Sequence, residues 1–133
     1  MTVFPAATPY DETSVTSISL RANNEQDCNV SFTINSSGLA TVYVDYAGKP
    51  GYFSQVVITI KIQKKLLGLI WTTVDNGQPN NEWYYTSGIL IQTVSRSLQL
   101  ESTGTYRAVV EARFNGTGGA EDVIQQMPEA VYN

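Results

Sequence analysis

Apolar and polar residues alternate along most of this chain with a period of two. Cys28, Val30, Phe32 and Ile34 interleave with Asn29, Ser31, Thr33 and Asn35, as in a strand with one buried face. Asn35–Gly38 supplies turn residues, and Ala40, Val42, Val44 and Tyr46 continue the inward set on a returning strand, which predicts a hairpin. The clearest stripe is Val56, Ile58, Ile60 and Ile62, set against Val57, Thr59, Lys61 and Gln63. Lys64–Gly68 is expected to turn the chain, 69–74 to run back, and Asp75–Asn81 to form a polar loop. Trp83-Tyr84-Tyr85 opens the second half, and Ile89, Ile91 and Thr93, then Leu98 and Leu100, suggest a further strand. Tyr106, Ala108, Val110, Ala112 and Phe114 form another inward stripe, closed by the glycine-rich turn 115–119. Residues 121–131 carry the last strand, where Pro128 suits an edge. Ile18, Leu20 and Ala22 give 14–22 a strand-like parity, while 1–13 has two prolines and no period. No apolar stripe with a helical repeat persists for three turns. The pattern predicts a flexible arm over 1–13 and one antiparallel two-sheet β-sandwich of seven to nine strands over 14–133.

Composition supports that class and removes several functions. Val, Ile and Thr occupy 36 of 133 positions, and β-branched side chains pack well on a pleated surface. The chain has no His, which removes Ser-His and Cys-His nucleophilic pairs and the usual histidine-ligated metals. A net charge of −4 disfavours a nucleic-acid groove, which needs a positive field. The single Cys28 has no partner for an internal disulfide and fits either redox compartment. No run of 18 apolar residues is present, so no transmembrane segment is expected. The start, Met1 to Tyr10, lacks a signal peptide's basic and apolar stretches, yet it looks like the beginning of a mature exported protein. The expected location is secreted or cell-surface, after removal of a signal peptide not present in this chain.

Two local patterns carry a resemblance. One is Thr59-Ile-Lys-Ile-Gln-Lys-Lys65 followed by Trp71-Thr-Thr-Val74. The other is Gly104-Thr-Tyr106-Arg107 opening an alternating strand, then a glycine-rich turn and Glu121. With Ser37-Gly-Leu-Ala-Thr41, these resemble the small exported single-domain β-sandwich proteins of Gram-positive bacteria, a largely uncharacterised group that brings no catalytic residues. The resemblance spans 14 to 133 and departs from the group at 14–22 and in the long loops around 75–88. Gly104–Arg107 also resembles the tyrosine corner of immunoglobulin-like sandwiches. That likeness makes the expected fold an immunoglobulin-like sandwich, with the Tyr106 hydroxyl bonded to backbone near 100–103. Trp71 is the expected large core filler, and Cys28 is expected to be buried beside Val30 and Phe32.

Carboxylates are the remaining route to hydrolysis. Glu121 and Asp122 are adjacent, so on a strand they point to opposite faces. Asp75 and Glu82 bracket a polar loop, where solvated carboxylates and Asx turns are the rule. Calcium at Asp75 or Asp45 stays a possibility without EF-hand spacing. No catalytic residue, metal or cofactor is therefore assigned. The aromatic loops draw more interest. Tyr52 and Phe53 follow Gly48–Gly51, and Trp83, Tyr84 and Tyr85 follow the longest loop. Tyr and Trp offer rigid amphipathic contact area. The expectation is that Tyr52, Phe53 and at least one of Trp83, Tyr84 and Tyr85 form one partly exposed apolar patch at an end of the sandwich, for a protein partner or a glycan. The function expected is exported, non-enzymatic protein–protein or surface interaction; a carbohydrate-binding module and a self-assembling surface component are the alternatives.

Overall fold

The computed structural model describes residues 22–133, so the expected arm over 1–13 and the strand-like 14–21 lie outside the described residues. Nine strands follow in order: β1 Glu25–Ile34, β2 Leu39–Gly48, β3 Phe53–Leu66, β4 Ile70–Thr73, β5 Trp83–Ser87, β6 Ile91–Gln99, β7 Gly104–Gly116, β8 Asp122–Gln126 and β9 Glu129–Tyr132. One sheet runs β1-β2-β6. The other is built on the β3–β7 pair, with β4 and β5 sharing the far edge of β3, and β8 and β9 sharing the far edge of β7. All pairings are antiparallel. The chain changes sheet between β2 and β3, between β5 and β6 and again between β6 and β7, while β2 pairs with β6 and β3 with β7. That Greek-key order is the immunoglobulin-like one. Among the described residues no helix is long and apolar enough to cross a membrane.

Parity explains the core. Val56, Ile58, Ile60 and Ile62 stand opposite Phe114, Ala112, Val110 and Ala108 in register, and all eight are buried. They meet Ala40, Val42, Val44 and Tyr46 of β2, which are buried from the other sheet. Each fully buried Ile or Val contributes roughly 1.5–3 kcal/mol. Large and small residues alternate across β3 and β7, so the layers interdigitate. Tyr46, Phe53 and Phe114 close one end as a ring cluster, with centroids 5.9–6.2 Å apart. Cys28 is buried against this core.

Tyr106 makes the expected corner: its hydroxyl donates to the Ser102 carbonyl at 2.6 Å while its ring is buried. Trp71 corrects the reading. It stands opposite Lys65, whose parity on β3 is that of the outward Gln63 and Lys61, so the indole lies half-exposed on the outer face. β4 has four residues after a tight turn, and a single step of register moves every side chain to the other face. The core at that end is closed instead by Ile62, Leu100 and Tyr106.

At the β1 start, Asp122 pins the two sheets. Its carboxylate accepts from the backbone N–H groups of Asn23, Asn24 and Glu25. The Asn24 side chain accepts from Gly118 N–H at 2.9 Å. A Cβ at Gly116 would stand 1.9 Å from the Tyr52 carbonyl oxygen, so this approach of three segments needs glycine. The β6 edge carries inward Arg96 and Gln92, opposite Val42 and Tyr46. An inward charge on an edge strand discourages pairing with another sheet.

Candidate functional site

The five aromatic residues divide between the core and the surface. Phe53 is half-buried in the cluster with Tyr46 and Phe114. Trp83 and Tyr85 stand opposite Ile60 and Ile58, share their inward parity, and pack against the core. The Tyr85 hydroxyl donates to Gln92 Oε1 at 2.9 Å, and its ring lies 5.5 Å from the Arg96 guanidinium. These rings fill the gap between the β5 edge of one sheet and the β6 edge of the other. Only Tyr52 and Tyr84 are well exposed, at 48% and 66%. Tyr52 sits in the turn before β3, with Lys49 Nζ 5.4 Å from its ring. Tyr84 faces out from mid-β5, opposite Thr59. Trp71 shares the outer face with Tyr84, but their partners Lys65 and Thr59 are six residues apart on β3, about 20 Å of strand. That is too far for a pair of adjacent sugar-stacking rings.

Another exposed apolar feature among the described residues lies at the turn joining β3 to β4. Leu66, Leu67, Leu69 and Ile70 are 41%, 90%, 82% and 58% exposed. Leu69 N–H donates to the Leu66 carbonyl at 3.0 Å, closing a tight turn around Leu67 and Gly68. Both central residues take positive φ, 54° and 68°, the backbone that Asn-Gly normally supplies in a type I′ turn. Leucine is poorly suited to that region, and here it gains no burial in exchange. Sequence reading saw this segment only as a turn. Its signal was available: Leu66–Ile70 has no polar side chain, where turn chemistry favours Asn, Asp and Gly.

Cations stand just behind the tip. Lys65 Nζ and the Arg107 guanidinium lie 5.6 and 4.3 Å from the Trp71 ring. Arg107 Nε also donates to Gln63 Oε1 at 2.8 Å, fixing its position across the β3–β7 pair. Lys64 points inward into a pocket of about 250 Å³, lined by Val74, Asp75, Glu101, Ser102 and Tyr106. There its Nζ donates to Ser102 Oγ at 2.6 Å, so the lysine braces the tyrosine corner.

The carboxylates diverge, as their spacing predicts. Glu121 pairs with Arg113 at 2.8 Å, whereas Asp122 is engaged by backbone amides. Asp75 closes an Asx turn by accepting from Gly77 N–H at 2.9 Å. Among the described residues no group of three His, Cys, Asp or Glu is arranged to hold a metal. Glu25 is the unusual carboxyl: it is buried, its Oε1 has no partner among the described residues, and burial, with Asp122 and Asp27 nearby, raises its pKa. Burial likewise pushes the Cys28 thiol up to about 12, reinforced by Glu25, Asp27 and Asp45, a resting rather than a nucleophilic thiol. Compared with family models, curated proteins and solved structures, the chain matches none of them.

Proposed function

We propose that this protein is an exported, non-enzymatic β-sandwich of the bacterial surface-interaction type, and that its contact element is the β3–β4 tip. The observation that supports the reading is the cost accepted at Leu67. A residue at φ 54° that is 90% exposed stabilises neither the turn nor the core. Local strain without local benefit points to function, and exposed contiguous apolar surface on a folded domain marks a contact site. The sandwich supplies the rigid base, because β3 runs unbroken from the core to the tip. The aromatic loops support a contact role less strongly, since Phe53, Trp83 and Tyr85 pack against the core.

A photo-activated cross-linking residue at position 67, compared with one at Ser31, tests this in cells that make the protein. Ser31 is exposed on β1, in the sheet that lacks the tip. The reading predicts adducts from position 67 and few from position 31. Equal yields, or none from 67, contradict it.

A further inference from the structure

The tip is built in layers along the long axis of the molecule. Four aliphatic side chains come first, with no hydrogen-bonding side chain between Leu66 and Ile70. Behind them stands Trp71, with Lys65 and Arg107 both close to its ring. Leu is under-represented among the anchors of protein interfaces, and Leu66–Ile70 offers no side chain for the oriented hydrogen bonds that such an interface uses. A hydrocarbon layer asks for no orienting bonds. Trp favours the boundary between an apolar layer and water, and Lys and Arg reach headgroup phosphates with their charged ends while their stems lie along apolar surface.

The charges are sorted along the same axis. Strand register places Lys61, Lys64, Lys65, Arg96 and Arg107 in the half nearer the tip, against Asp75, Glu82, Glu101 and Glu129. The far half holds Glu25, Asp27, Asp45, Glu111, Glu121 and Asp122, against Lys49 and Arg113. Although the chain is acidic overall, the described residues form a dipole whose positive end carries the apolar tip. Near a negative surface that dipole turns the tip toward it.

We propose that the β3–β4 tip docks on an anionic lipid surface, its aliphatic side chains entering the acyl boundary and Lys65 and Arg107 meeting lipid phosphates. This deepens the contact reading above and rests on it. A short apolar tip alone binds weakly, and a few cations alone bind weakly; the two together give reversible attachment that falls with salt.

Flotation of the full chain with vesicles tests the proposal. One set is phosphatidylcholine with about a quarter phosphatidylglycerol, and the other is phosphatidylcholine alone. The expected result is flotation with the anionic vesicles, reduced by high salt, and little with the neutral ones. The variant Leu67→Asn with Leu69→Ser keeps the turn, because Asn tolerates positive φ, and it is expected to float at least about tenfold less. Lys65→Glu is expected to weaken flotation on anionic vesicles alone. Failure of the parent chain to float, or equal flotation by the tip variant, overturns the proposal. If cross-links from position 67 to a protein still form while vesicles are ignored, the lipid assignment falls and the contact reading stands.

Discussion

The Arg107 guanidinium lies 4.3 Å from the Trp71 ring on the outer face of the β3–β7 sheet. The pair joins β7 to the edge strand β4 across β3, and it stiffens the base from which the tip projects. Cation–π contact of this half-exposed kind is worth about 0.5–1 kcal/mol.

Trp71→Ala is therefore expected to cost only about 1–2 kcal/mol, from that contact and partial burial. Phe114→Ala, which removes a fully buried ring, is expected to cost about 3–5 kcal/mol. Urea unfolding of both variants checks the ranking, and a larger loss at Trp71 would return the indole to the core.

Those two residues also show what sequence makes legible. Phe114 ends a five-residue stripe on a 13-residue strand, where parity and long pairing leave one choice of face. Trp71 sits on a four-residue strand after a turn, where parity is lost unless the turn length is known. The long stripes on β1, β2, β3 and β7 were readable for the first reason, the 35–38 turn from its turn residues, and the tyrosine corner through its resemblance to immunoglobulin-like sandwiches. Tyr84 is the exposed ring of its trio, but that Trp83 and Tyr85 take the inward face was not legible, because that face borders a gap between sheet edges, a tertiary feature with no local signature. The tip was missed because an apolar run looks alike whether it is covered or projects past both sheets.

The tyrosine corner gives a cleaner test of a single bond. Tyr106→Phe deletes only the hydroxyl that donates to Ser102 O at 2.6 Å and leaves that carbonyl to water. The expected loss is about 1–1.5 kcal/mol, a shift of a few degrees in Tm. An unchanged Tm would mean that the bond does not fasten the β6–β7 connection.

Glu25 sets a pH dependence. Burial first, then Asp122 and Asp27, raise its pKa above the ordinary 4.5, so the native state holds this proton to higher pH than the unfolded chain. Between the two values the native state binds more protons, and stability falls as pH rises. This contribution is fully present below about pH 4.5 and lost as pH passes the raised native value. Glu25→Gln is expected to flatten that slope and raise stability at neutral pH. Denaturant midpoints measured from pH 4 to 8 decide it; identical slopes for parent and variant would contradict the assignment.

Cys28 is expected to resist labelling in the native state at pH 8, because its thiol is buried and held up to about 12. Reaction with a thiol reagent should track unfolding, becoming fast only as denaturant opens the β1–β2 face. Prompt stoichiometric labelling of the folded chain would remove Cys28 from the core.

The most direct measurement of where this molecule makes contact is hydroxyl-radical footprinting, comparing the protein free in buffer with the protein mixed with cells that make it. Leu66, Leu67, Leu69, Ile70 and Trp71 are expected to be protected by contact, while Tyr52, Tyr84 and Val123, all exposed in the free chain, keep their oxidation rates. Protection centred on Tyr52 or Tyr84 with the tip unchanged, or no protection anywhere, would contradict the assignment of the β3–β4 tip as the contact element.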